Sequence, residues 1–267
     1  MQKTILSLII IFLITVTNMY ADALDMGLRM EKKGDYAQAR KFHKQGCDQG
    51  NGDSCARLGY LMRVGWGLEE RTFDDEGATK HYQKACDNNS TLGCYLLADS
   101  YESGLGINKD ETKALGYYKK SCGMDGDESK FGSELLTANG CAHLARKFYD
   151  KEPKTAFQYA KKSCDNGNGE GCLLLARMYY IGNGIQKDKF KAVNFFRQVC
   201  YGDMGIAFKQ PACTELGNLY AIEQSPQDAL QAYKAACDPR RNTETFDGKI
   251  TLSDECKRYE AYKIRVR

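Results

Sequence analysis

Twelve cysteines carry the most chemistry in this 267-residue chain, and their spacing decides which chemistry it is. They fall into six sequential pairs, Cys47/Cys55, Cys86/Cys94, Cys122/Cys141, Cys164/Cys172, Cys200/Cys213 and Cys237/Cys256. A tetrahedral zinc site wants thiolates two to four residues apart, or histidines close by. No C-x-x-C occurs, and His43, His81 and His143 are dispersed, so no metal is expected. Three pairs read C-x7-C, and the other three read as the same join with a longer loop. The even count and the regular pairing point to disulfides, one per unit.

Other reactive arrangements are hard to find. Serine β-lactamase chemistry wants S-x-x-K together with a Lys-Thr-Gly element, and hydrolases of the nucleophile-elbow type want G-x-S-x-G. Neither serine pattern occurs, and Lys154-Thr155-Ala156 is an ordinary helix start beside Pro153. Gly65-Trp66-Gly67, Gly104-Leu105-Gly106 and Gly182-Asn183-Gly184 look superficially like phosphate loops. That reading needs a preceding strand and a third glycine, and neither is present, so these are turns and no cofactor is implied.

The cysteines also reveal what positions everything else. First members of the pairs recur every 36 to 42 residues, a period that signals stacked helix pairs. Eight residues before each first cysteine stands an alanine: Ala39, Ala78, Ala114, Ala156, Ala192 and Ala229. Four before it the residue is usually aromatic (Tyr82, Tyr118, Phe196, Tyr233), with His43 and Ala160 departing. After the second cysteine of the first five pairs, position +3 is leucine, +4 is Gly or Ala and +7 is large, as in Leu175, Ala176 and Tyr179. Offsets of 3, 4 and 7 share one helical face. Each unit is thus a helix A, a turn, a helix B, and a cysteine-closed join to the next helix A. The turn glycines suit helix C-caps, and Asp110 and Asp188 suit N-caps of helix B. Lys257 to Arg267 suits a terminal capping helix. The fold class is all-α, an α/α solenoid of about six units plus that cap.

Composition agrees. Charged residues make up 27% and hydrophobic ones 42%, which excludes wholesale disorder, and a net charge of +3 is too balanced for a dedicated nucleic-acid binder. The beginning of the chain sets the compartment. Lys3, the apolar run Ile5 to Val16 and the small residues around Ala21 follow the order of a secretory signal peptide. The run is too short for a membrane span, which takes ~20 apolar residues. We expect a signal peptide over residues 1–21 and a repeat array over 22–267, secreted or periplasmic, monomeric, without a membrane span, where disulfides persist.

The pattern A-x-x-x-Y-x-K-x-C, followed by C-x-x-L-[GA]-x-x-[YF]-x-x-G-x-G, resembles Sel1-like repeats, relatives of tetratricopeptide repeats. It is carried by Ala78 to Cys86 with Cys94, and by Ala192 to Cys200. A cysteine pair in every unit behind a signal peptide resembles the Helicobacter cysteine-rich protein family. That resemblance implies a secreted or periplasmic scaffold engaging host or cell-wall components. It also implies penicillin binding or a weak β-lactamase activity, for which this sequence shows no catalytic motif.

Helix-pair arrays present a concave face lined mainly by helix A. Positions +2 and +5 after the second cysteine lie off the core stripe and should face that groove. They include Arg57, Tyr60, Asp99, His143, Arg146, Arg177 and Asn218. A line of Arg57, Arg146, Arg177 and Asn218 could hold a peptide carboxylate or backbone, because guanidinium forks take carboxylates bidentately. The expected ligand is a peptide, a protein tail or a peptidoglycan-type stem, with β-lactams as the enzymatic alternative.

Overall fold

The computed structural model describes residues 23–68, 70, 72–123, 133–204, 206–237, 243–246, 249–252 and 254–265. The expected signal peptide lies outside them. The chain divides into two compact units, Met1–Thr137 and Ala138–Arg267. The first contains α1 (residues 23–33), α2 (Tyr36–Asp48), α3 (Gly52–Arg63), α4 (Asp75–Asp87), α5 (Thr91–Ser103) and α6 (Glu111–Gly123). The boundary falls within α7 (Ser133–Phe148), most of which belongs to the second unit with α8 (Pro153–Asp165), α9 (Gly169–Ile181), α10 (Lys189–Tyr201), α11 (Ile206–Ile222), α12 (Pro226–Ala236) and α13 (Asp254–Arg265). Odd-numbered helices are the A helices and even-numbered ones the B helices. Within each unit successive helices pack on one another, and A helices also touch across the intervening B helix, α3 on α5 and α9 on α11.

Short polar residues set the helix boundaries. Asn51, Ser90 and Asn168, each lying between two paired cysteines, accept hydrogen bonds from the backbone N–H groups of Ser54, Gly93 and Gly171. Asp74, Asp110 and Asp188 do the same for the B helices. Pro153 and Pro226 open α8 and α12, where a missing N–H costs nothing. Gly104 and Gly182 end α5 and α9 in the left-handed conformation, which side chains disfavour.

The repeat register is the core. All six register alanines are fully buried, and so are Leu97, Leu144, Leu175 and Leu216 or very nearly so. Each such leucine contributes roughly 1.5–3 kcal/mol of apolar burial. Small residues at +4 allow the aromatic of the B helix to approach, and a Cβ on Gly59 would lie 2.8 Å from the Tyr82 ring. The first repeat repeats the device without a cysteine, with Gly27 of α1 against the His43 ring.

Disulfides close the B-to-A joins as expected at Cys47–Cys55, Cys86–Cys94, Cys164–Cys172, Cys200–Cys213 and Cys237–Cys256. Cys122 and Cys141 are also disulfide-bonded. The wider spacings are not simply longer loops. Between Cys200 and Cys213 the extra residues extend α11 at its start, with Pro211 inside the helix. Between Cys237 and Cys256 they form a two-stranded antiparallel hairpin, β1 (Thr243–Phe246) and β2 (Lys249–Leu252), paired from Thr243↔Leu252 to Phe246↔Lys249. This hairpin is the one departure from an all-helical chain among the described residues, and the helix after it begins at Asp254 rather than Lys257.

Candidate functional site

In the first unit the A-helix face centres on α3. Tyr60 is 36% exposed and meets Trp66 edge-on at 6.3 Å, and Trp66 lies 4.4 Å from the Tyr36 ring. Arg57 does not stand free. Its Nη1 reaches Glu31 of α1 at 3.4 Å, and the other Glu31 oxygen is 2.8 Å from Nε2 of the buried His43. Asp99 of α5 accepts from Nη1 of Arg63 at 2.8 Å. Arg63 also donates to Ser100 Oγ, sits 3.7 Å from Asp75 and lies over the Tyr82 ring. Burial pushes the Tyr82 phenol well above its ordinary range. His43 is thus a core residue, and His81 Nδ1 faces the Gly77 carbonyl of its own helix at 2.8 Å.

The second unit repeats the arrangement with different residues. His143 Nδ1 and Arg146 Nη2 are 3.2 Å apart on α7, and Arg146 Nη1 donates to Glu170 of α9 at 2.7 Å. Arg177 of α9 donates from Nε and Nη2 to Glu215 of α11, and these hydrogen bonds raise the guanidinium's affinity for its proton. Asn218 Oδ1 accepts from the Tyr233 hydroxyl at 2.8 Å.

The candidate residues therefore do lie on successive A helices, but the arginine line is not an open cationic track. Arg57, Arg146 and Arg177 each hold a glutamate on a neighbouring A helix, so they tie repeats together. The reason is that the +2 position also carries acids, such as Glu215, and that Glu31 and Glu170 fall beside the next helix. Counting arginines along one face could not show which carboxylates the stacking brings opposite them. Two arginines escaped the sequence reading. Arg63 is one turn beyond the positions considered. Arg258 occupies position +2 after Cys256, in the segment read only as a capping helix; among the described residues it has no carboxylate partner.

The G-x-G turns are structural. Gly106 has φ +70° and Gly184 has φ +74°, and a Cβ on either would lie 2.0 or 2.2 Å from the carbonyl oxygen of Asp75 or Pro153. Each turn thus rests on the first turn of the preceding B helix. Beside Gly106 is a cleft of about 650 Å³ whose walls include Thr79, Gln83, Ile107 and Asn108. Thr79 takes the register place that Phe157 fills in α8, and its Oγ1 donates to the Leu105 carbonyl. A second cleft, of about 500 Å³, lies between α11, α12 and α13. Among the described residues no helix is long and apolar enough to cross a membrane.

Comparison with known proteins identifies the repeat. The Sel1 repeat model matches residues 17–51, 52–90, 91–125, 140–168 and 169–202, more than half of the chain. The chain is 26% identical over 193 residues to a cytochrome c oxidase assembly factor 7 homolog of Drosophila melanogaster, covering 61% of this chain and 73% of that protein. It is 27% identical over 166 residues to cytochrome c oxidase assembly factor 7 of Xenopus tropicalis, covering 60% and 69%. Among solved structures, a Sel1 repeat protein from Oxalobacter formigenes superposes with a TM-score of 0.64 at 22% identity, covering 91% of this chain and all of that one. A protective antigen of uropathogenic Escherichia coli with an SLR fold gives 0.62 at 24% identity, covering 80% of this chain and 44% of that one. Those two likenesses concern the fold alone. The repeat register, the stacked helix pairs and the matched residues together make this chain a member of the Sel1 repeat family.

Proposed function

We propose that this chain is an exported, disulfide-stapled scaffold that holds an extended segment of another protein along its A-helix face. Its chief support is the A-helix face of each unit, where Tyr60 of the first and Arg146 and Asn218 of the second reach solvent while the leucines and small residues beside them are buried. Because the arginines there are already paired with carboxylates, the face offers aromatic edges and hydrogen-bonding groups rather than net positive charge. That favours a peptide backbone with neutral side chains over an acidic cell-wall stem. The curated relatives are named as assembly factors for cytochrome c oxidase, and on that likeness the partner is a protein. Disulfides at the repeat joins support an oxidising compartment, the periplasm or beyond.

The Helicobacter cysteine-rich resemblance adds β-lactam hydrolysis, but no residue here supports it. Every cysteine is bonded, and Ser90, whose hydroxyl donates to Asp53, is a helix N-cap. Peptides selected from a random display library against the oxidised chain test the binding reading. Hydrogen exchange in the complex should show new protection confined to the A helices, and Tyr60→Ala should weaken capture. Protection confined to the B helices, or no selectable peptide, would overturn it.

A further inference from the structure

After the last cysteine the core stripe is lost, with Tyr259, Glu260 and Lys263 at +3, +4 and +7, but α13 still packs against α12. Counting from Cys256, Arg258 and Ala261 stand at +2 and +5, the positions expected to face the groove in the earlier A helices, and Ile264 follows one turn later. They line the cleft of about 500 Å³ together with Ala221 of α11, Tyr233 of α12 and Tyr262 of α13. Clefts of roughly 300–1,000 Å³ are the usual size for small ligand sites.

Its chemistry differs from the rest of the A-helix face. Arg57, Arg146 and Arg177 each hold a glutamate. Arg258 has no such partner among the described residues, and it is exposed. The other walls are apolar. The Tyr233 and Tyr262 rings meet at 5.2 Å with their planes 62° apart, and Ile264 is largely exposed. Tyr233 is fixed in place, because its hydroxyl donates to Asn218. Arg258 is close enough to Tyr233 to oppose the upward shift that burial gives its phenol. A guanidinium with no carboxylate partner among the described residues, lining a cleft with aromatic and aliphatic side chains, complements a ligand with one carboxylate and an adjoining apolar group.

We propose that this cleft captures the C-terminal carboxylate of a partner polypeptide that ends in an apolar residue. The Arg258 fork takes the carboxylate, and the final side chain lies between Ala221, Tyr262 and Ile264. A free carboxylate against a guanidinium forms two parallel charge-assisted hydrogen bonds, which a C-terminal amide cannot. This deepens the peptide-binding reading by naming which end of the segment is held and where.

The test uses the oxidised full chain and two fluorescent hexapeptides of identical sequence, Gly-Ser-Gly-Ser-Ala-Leu, one with a free C-terminus and one amidated. Polarisation titrations should show the free acid binding roughly tenfold tighter, the worth of one good charge-assisted contact. Arg258→Gln should erase that preference, and Arg177→Gln, made in a pair already satisfied by Glu215, should leave it intact. Arg258 is exposed, so unchanged Tm in the variant is expected and serves as the folding control. Equal binding of acid and amide, or a preference that survives Arg258→Gln, would overturn the carboxylate site while leaving binding along the face standing. Absence of binding by either peptide would overturn the site, and the display selection would then judge the wider reading on its own.

Discussion

Removing one repeat join measures how much the staples contribute. In Cys86→Ala/Cys94→Ala the lost bond closes a sequence separation of 8, within a join where both cysteines are fully buried. Releasing a loop of that length returns about 2.6 kcal/mol of chain entropy to the unfolded state. Deleting two buried sulfurs, each close to a methylene in size, adds about 0.8 kcal/mol apiece. The expected loss is about 4 kcal/mol, because a repeat that touches only its neighbours has few other contacts to compensate. Trp66 is the chain's single tryptophan and packs between Tyr36 and Tyr60 in the same unit, so its fluorescence reports unfolding there. With a urea slope of about 2 kcal/mol/M, the midpoint should fall by about 2 M. A shift below about 0.5 M at an unchanged slope would refute the reasoning. It would mean that native packing at the join, and not the covalent loop, holds the repeats together.

Two glycine substitutions should act in opposite directions. Gly106→Ala places a Cβ 2.0 Å from the Asp75 carbonyl oxygen at φ +70°, and Gly116→Ala, in exposed α6, meets nothing within 4 Å. Calorimetry should show a loss of at least about 2 kcal/mol for the first and a gain of about 0.5–1 kcal/mol for the second; the same sign for both would discredit the turn contact. Asp188 caps α10, and the Lys191 backbone N–H holds its carboxyl below the usual carboxylate range. A depressed folded pKa gives stability that is present above the unfolded value and lost as pH falls through the folded one. Asp188→Asn should therefore flatten acid unfolding in that window, and an unchanged acid profile would exclude the contribution. A double-mutant cycle on Arg177 and Glu215, which are part-exposed, should give a coupling of about 0.5–1 kcal/mol that shrinks in 1 M salt. A coupling indifferent to salt would contradict the inter-repeat ion pair.

The fold was legible because its signal is periodic. Alanines eight residues before each first cysteine, leucines three after five of the six second ones, and G-x-G turns repeat a single packing solution, so one repeat explains the others. The disulfide pairing followed for the same reason: the join between helix B and the next helix A recurs at fixed register, and its ends must meet wherever the stack forms. What fills an insertion had no such repetition. Nothing in the spacing distinguished the helical extension before Cys213 from the hairpin before Cys256, since both are single events. The site was legible only as a set of positions. The sequence determined that Arg57, Arg146 and Arg177 take equivalent positions on their A helices, and the same count places Arg258 at +2 after Cys256. Stacking decided that the first three meet glutamates on neighbouring A helices and that Arg258 does not. Register is set by local chain geometry and can be counted along a sequence. Charge pairing depends on which residues separated by 24 to 38 positions come within 4 Å, and only the packed helices fix that.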